Sequence, residues 1–524
     1  MTTLYPTRRF AFMRVSTRYF SSTALVLALA SPAYADITAD DAWMALRANM
    51  DAIGGELNVT KAQNGDSLTI TDTTWAFDLP FDGGRIEIDM ADTTFTENGD
   101  GTVTLSYPNP ATYAVRVSPT DEEPFSATMD IAFENSAMSA SGTPQDVTFD
   151  FAMDRMTMAL TQIDFEDKED AEIDMTGTLD AYKGQMRVEI GSQVHTSVWG
   201  ETGPQDVKFT MNNTGGETPG SMEQSSGHES SRTEMTMVLP KGGMAFTNLA
   251  ASLEQGMTLD IKATLTGYFN NQTMQANGQV VSQQDQRSDT YDIQVGLGRD
   301  GIKMVGDATG IDGTVTIPQV FPLPITYAAE SAGGELSAPV SAGEAIQDAS
   351  VVMNLTGVTL AETLWSMVDP NQALPRDPMT ISLDLDAKVR NLIDWFNFTE
   401  VAKLDEADTP PAELHGLTLN GLKIDMVGAT LTGEGQMAFD NSDMETFGGF
   451  PAPSGTVDLA LQGGNALMDK LVEMGLLPEQ QAMSARMMIG MFAKPDPEAG
   501  DDALQSTLEI TPNGEVLANG MRIR

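Results

Sequence analysis

Apolar residues recur along this chain with two different periods, and the places where the period switches mark its elements. From Thr38 the spacing is helical: Trp43, Leu46, Met50 and Ile53 share a face, Thr38 with Asp41 makes a variant capping box, and Gly54-Gly55 supplies the stop. The period then becomes two. Leu68 and Ile70, Ile86 and Ile88, Val103 and Leu105, Val147 through Met153, and Met156 through Leu160 alternate with polar residues, as half-buried strands do. Turn sequences such as Asn98-Gly99-Asp100-Gly101 and Gly142-Thr143-Pro144 separate them, which predicts an antiparallel meander. Residues 212–231 are rich in Gly, Ser, Thr and Glu without periodicity and are expected as a long mobile loop. The alternation resumes with Met235, Met237 and Leu239, then Met257, Leu259 and Ile261, and runs on toward Pro339.

A second helix is expected over 359–369, with Thr359 and Glu362 as capping box and Leu360, Leu364, Trp365 and Val368 as its stripe. Ile381 to Val389 and Leu417 to Ile424 extend the sheet. A helical hairpin is expected over 465–492. Asn465 caps a helix carrying Leu467, Leu471 and Met474, and beyond Gly475 a second helix starts at Pro478 with Met483, Met487 and Met491 on one face. A β-hairpin around Pro512-Asn513-Gly514 closes the chain. The expected fold class is mainly β, a β-rich α+β protein with long curved antiparallel meander sheets, a few amphipathic helices and the C-terminal helical hairpin. The organisation reads as a leader over 1–35, an N-terminal β-rich region over 36–340 and a C-terminal β-rich region over 341–524.

The leader rests on Arg8, Arg9, Arg14 and Arg18 ahead of a short apolar run from Ala24 to Ala30, followed by the small-x-small Ala33-Tyr34-Ala35. Cleavage after Ala35 would deliver the mature chain to the periplasm, and Met13 is an alternative start. The apolar run is shorter than the roughly 20 residues a spanning helix needs, and no later segment reaches that length, so no integral membrane segment is expected after cleavage.

Composition narrows the chemistry. The 524 residues include 75 acidic and 29 basic ones, a net charge of -46, which disfavours nucleic acid and anionic membrane surfaces as partners. The chain has no cysteine, so disulfides, thiol nucleophiles, thiolate metal sites and a lipid-modified N-terminal cysteine are all excluded. His195, His228 and His415 fall in separate segments, and neither a metal nor a cofactor is expected. Gly296, Gly298 and Gly301 spell G-x-G-x-x-G but run into strand-like Ile302 to Val305, which reads as a hairpin turn. Asn98, Asp100 and Gly101 mimic part of an EF-hand loop that has Thr96 and Tyr107 where its first and last carboxylates belong. The acidic run from Asp164 to Asp174 reads as a solvated loop. The 33 methionines suit either a core or a surface that accommodates varied apolar partners. No catalytic residue can be assigned, because paired carboxylates leave no linear signature.

Thr38-Ala39-Asp40-Asp41-Ala42-Trp43, Leu364-Trp365 with Asp369-Pro370, Leu374-Pro375-Arg376-Asp377-Pro378, and Thr511-Pro512-Asn513-Gly514 with Asn519-Gly520 together resemble an alphaproteobacterial envelope family, domain of unknown function 2125. The resemblance implies a periplasmic β-rich architecture and supplies no activity. Long alternating strands with few helices are also similar to envelope proteins that build a curved β groove for lipids. The function expected is a periplasmic scaffold or binding protein whose sheet shields an apolar groove for a lipid or another amphiphile, with any protein partner left open. Leu467, Leu471, Met474, Met483, Met487 and Met491 are the candidate groove or lid residues. The alternatives are a carboxylate-based, carbohydrate-active hydrolase and an outer-membrane β-barrel.

Overall fold

The computed structural model describes residues 36–79, 83–120, 123–165, 171–215, 219–404 and 410–523. The expected leader, and Glu166 to Asp170 of the acidic run, lie outside the described residues. Helix α1 (Ala39–Ile53) begins as expected: the Thr38 hydroxyl accepts from the Asp41 N–H at 3.1 Å, and Asp41 accepts in return from the Thr38 N–H at 3.0 Å.

All the strands belong to one antiparallel sheet. β1 (Glu56–Asn64) pairs with β2 (Ser67–Asp78), and β2 then supports two short strands side by side, β3 (Arg85–Met90) and β4 (Thr93–Glu97). The double track continues through β5 (Val103–Ser106), β6 (Ala111–Ser118), β7 (Phe125–Glu134) and β8 (Ala137–Thr143) until both tracks meet β9 (Asp146–Asp164). After β10 (Ala171–Ile190) the sheet splits again into β11 (Gln193–Thr202) and β12 (Gln205–Asn213). These are extended by β14 (Ser230–Pro240) and β13 (Gly220–His228), and both tracks rejoin on β15 (Thr258–Ala276).

A plain meander follows: β16 (Gln279–Gly298), β17 (Gly301–Ile317), β18 (Phe321–Ala338), β19 (Gln347–Leu360), β20 (Met379–Asn391), β21 (Ala412–Met426), β22 (Ala429–Asp440) and β23 (Ala452–Gln462). β23 pairs with β25 (Ala503–Ile510), whose other edge holds β24 (Lys494–Pro495) and β26 (Val516–Ala518), and β27 (Met521–Arg522) pairs with β26. The remaining helices are α2 (Leu249–Glu254), α3 (Glu362–Val368), α4 (Phe398–Val401), α5 (Gly464–Glu473) and α6 (Glu479–Phe492).

The mainly β class and the C-terminal helical pair are as expected, while several particulars are corrected. Residues 212–231 are not a long loop: Gly220 to His228 form β13, bonded to β12 on one side and β15 on the other. Backbone pairing from both neighbours holds this polar segment extended without an apolar alternation to announce it. Thr359 does not cap the second helix. It is held in β19 opposite Ala328, the helix starts at Glu362 after Ala361, and no side chain among the described residues caps it. Asn465 lies inside α5, and Asp502 does the capping instead, accepting from the Ala466 N–H at 2.8 Å and from the Asn465 amide at 2.9 Å. The Gly298–Gly301 segment is a two-residue hairpin turn between β16 and β17, as read from the sequence. The barrel alternative is set aside. β1 pairs only with β2 and β27 only with β26 among the described residues, so the sheet keeps two free edges that a barrel would have to join. No helix among those residues is long and apolar enough to cross a membrane.

The sheet wraps around α1. This helix touches β1, β2, β4, β8, β9, β10, β11 and β14. Phe77 of β2 meets Phe246, just beyond β14, with ring centroids 4.9 Å apart, although seven inter-strand steps separate β2 from β14 along the ladder. A flat sheet would hold them roughly 33 Å apart. The enclosed core contains Trp43, Leu68, Phe95, Val103, Phe149, Val188 and Leu239, with Leu253 of α2 and Val340 added from later in the chain. Phe396, between β20 and β21, also packs on it, where the isolated bridge between Asn248 and Asn397 draws that connection back.

A second structural line crosses the middle of the sheet. Gly267, Gly310 and Gly357 take positive φ (65°, 58° and 68°) at gaps in the ladder. A Cβ on Gly310 would lie 2.1 Å from Asp289 Oδ2, one on Gly267 2.6 Å from Glu229 Cγ, and one on Gly357 2.4 Å from Glu330 Cγ. Gly310 and Gly357 make room for an acid on the preceding strand and Gly267 for Glu229, just ahead of β14, and an interruption of the ladder at each of them bends the strand there.

Candidate functional site

Residues paired across an antiparallel ladder project from the same face, so the register shows which side chains line up from strand to strand. Met235 of β14 lies opposite Ile261, which lies opposite Val295, then Met304, Leu336 and Val351. The same row continues through Leu385, Leu419, Gly435, Val457 and Leu508 of β25. It spans roughly 50 Å at the usual inter-strand spacing. A parallel row, two residues away on each strand but three on β21, where the register shifts, runs Ala263, Ile293, Gly306, Gly334, Met353, Leu383, Leu422, Gly433 and Leu459. A third runs Leu265, Tyr291, Ala308, Ala332, Leu355, Ile381, Ile424, Leu431, Leu461 and Leu504. None of the three contains a charged residue. The intervening positions, such as Arg232, Thr264, Asp292 and Asp307, put polar groups on the opposite face.

The apolar face is the one that α1 fills further upstream. In the first row Met235 pairs with Val198, Val198 with Met186 and Met186 with Phe149, a core residue that is 0% exposed. Past β14 the cover thins: Leu297 and Ile302 still pack on the α1 core and Ala308 is buried beside Ala332 and Leu355, but other positions open out. Met304 is 43% exposed, Leu336 40%, Met353 57% and Ile381 44%. The other large side chains of the three rows are half-buried, except Tyr291, which is exposed. A sheet face of this size is ordinarily shielded by helices or by a second sheet.

The helical pair sits at one end of this face. Leu467, Leu471 and Met474 of the first helix and its C-cap are half-buried. Met483, Met487 and Met491 of α6 are 59%, 65% and 59% exposed, and α6 buries Ala482 instead. Arg486 joins the two helices by donating to the Asn465 carbonyl at 3.2 Å and pairing with Asp469 at 2.5 Å. The register rows were missed in the sequence because alternation identifies a face within a strand, whereas alignment between strands is set by turns and bulges.

The motif 364–378 makes a tied loop. Asp369 is fully enclosed and accepts the N–H groups of Ala373 and Leu374, each at 2.8 Å. Burial pushes its carboxyl up, but those two N–H donors, with help from Arg376, outweigh it and hold the carboxyl below the usual range. Arg376 also bonds to the Asp369 carbonyl, pairs with Glu362 and lies 5.4 Å over the Trp365 ring. Asn519 has a similar bracing role: its amide donates to the Phe492 carbonyl and its carbonyl accepts from the Thr507 N–H. These residues fix local structure.

The histidines do not converge. His195 lies on β11; His228 on β13 contacts the Thr202 hydroxyl at 3.0 Å; and His415 on β21 contacts Glu413 at 3.0 Å. No group of His, Asp and Glu among the described residues could hold a metal ion. A polar cleft of about 710 Å³ along the bend includes Asp180, Asp206, Glu229, Asp289 and Asp312. A glycosidic general acid needs a carboxyl with raised proton affinity. Among the described carboxyls with a clear shift, every one moves the other way, as Asp180 does through its hydrogen bonds with Arg155.

No curated protein and no solved structure matches the chain. The family resemblance seen in the sequence is supported from Met244 onward, which includes the 364–378 loop and the 511–520 turns and leaves Thr38 to Trp43 outside. The DUF2125 profile, described as an uncharacterized protein conserved in bacteria, matches residues 244–523, more than half of the chain, and the chain belongs to that family.

Proposed function

We propose that this protein is a periplasmic binding scaffold that carries the acyl chains of a lipid along the apolar face of β14–β25. The observation that carries this reading is the uninterrupted, charge-free row from Met235 to Leu508, which leaves Met304 and Leu336 exposed and Val351 and Leu385 half-buried. Covering a large apolar side chain completely is worth about 1.5–3 kcal/mol, and a half-exposed one retains a fraction of that for a ligand. The net charge of -46 favours zwitterionic head groups over anionic ones. The helical pair acts as a lid, its methionines being adaptable enough to follow a mobile chain.

Native mass spectrometry of the protein purified from the periplasm, coupled to lipid extraction, tests the proposal. Phospholipid should co-purify and should be lost in Leu385→Asp, while Thr432→Asp on the polar face keeps it. Met487→Asp should weaken lipid retention while leaving the melting temperature within a few degrees. A ligand-free protein that also ignores a fluorescent zwitterionic phospholipid would contradict the lipid reading. Unchanged retention in Met487→Asp would remove the lid alone.

A further inference from the structure

A separate cavity of about 310 Å³ lies between α1 and the sheet that wraps it. Its floor is buried, formed by Trp43, Ile70, Thr73 and Phe95, and Met50, Met90, Ala91, Tyr107 and Tyr113 are half-exposed around it. No charged side chain among the described residues lines it. Burial pushes the Tyr107 hydroxyl up to about 12 and raises that of Tyr113, so both stay neutral at ordinary pH.

Two donors distinguish this cavity from a packing defect. Trp43 is 4% exposed and its indole N–H has no acceptor among the described residues, whereas the neighbouring Trp75 indole donates to the Gly54 carbonyl at 2.8 Å. Buried N–H groups normally find partners. The carbonyl oxygen of Asn49, another lining residue, is taken by the Thr196 hydroxyl at 2.6 Å, leaving its amide group to donate. An aromatic enclosure with free donors and no ionic group suits a neutral ring compound that presents an acceptor.

We infer that this cavity is a binding site for a neutral, ring-containing small molecule with a carbonyl acceptor for the Trp43 indole. The site is independent of the lipid reading, since none of its lining residues belongs to β14–β25.

Two probes differing only at the acceptor test the assignment: benzophenone, with a carbonyl between two rings, and diphenylmethane, without it. Titration calorimetry on the purified protein should show benzophenone binding about tenfold more tightly, the worth of one good hydrogen bond. Trp43→Phe should bring the two within about twofold of each other. Ala91→Phe should weaken both about tenfold or more while the melting temperature and far-ultraviolet circular dichroism stay unchanged. Irradiated benzophenone should attach to Met50, Met90 or Met186. Equal affinity of the two probes for the unmodified protein, absence of saturable benzophenone binding, or attachment confined to β16–β25 would each overturn the inference. The comparison on the unmodified protein decides the matter even if a variant fails to fold.

Discussion

At the scale of single residues, Asp369 shows how a short sequence motif can be structural. Its carboxylate replaces water for two backbone N–H groups in a fully enclosed turn, and Arg376 adds a charge nearby. Because its folded pKa is depressed, the contribution is present above the unfolded value of about 3.9 and is lost as pH falls through the folded value. Asp369→Asn should therefore lower the melting temperature at pH 7, and the gap from the unmodified protein should narrow as the pH drops below about 4. Thermal melts at both pH values check this, and a gap that widens in acid would contradict it. The loop was legible as a motif, but its purpose was not, because a linear reading does not show that Asp369 is enclosed or that Lys470 of α5 lies near it. The capping box at Thr38 and Asp41 was fully legible because its partners are three residues apart. Thr359 has the same local signal, but pairing with Ala328, far away in sequence, overrides it.

At the scale of elements, the strand alternation was readable and the bend across the strands was not. Gly310, Gly267 and Gly357 are scattered in sequence and become a line only after the ladder is formed. Gly310→Ala should cost about 1–3 kcal/mol, combining left-handed strain with displacement of Asp289, and should shift the denaturation midpoint without changing the spectrum of the folded state. An unchanged midpoint would mean that the bend relaxes freely at that strand. The segment from Gly220 to His228 was unreadable for a related reason. Its side chains alternate no apolar face, and the backbone bonds from β12 and β15 that hold it are long-range. The helical pair was located correctly, while the exposure of Met483, Met487 and Met491 was not legible, since it follows from α6 seating Ala482 instead.

At the scale of the whole molecule, one amphipathic sheet serves two ends differently. The first part closes around α1 and forms a core, and the part beyond β14 leaves Met304, Leu336, Met353 and Ile381 of the same face exposed. Each strand announced its apolar side, but the continuity of that side across the sheet depends on register and was hidden from a linear reading. The central claim is that lipid acyl chains lie along this continuous face. It is tested most directly by photo-crosslinking mass spectrometry with a zwitterionic phospholipid carrying a diazirine at its acyl tail. Attachment is predicted at Met304, Leu336, Met353 and Leu385, and not at Asp307, Asn354 or Lys423 on the polar face. Attachment spread equally over both faces, or none at the inner residues, would contradict the account.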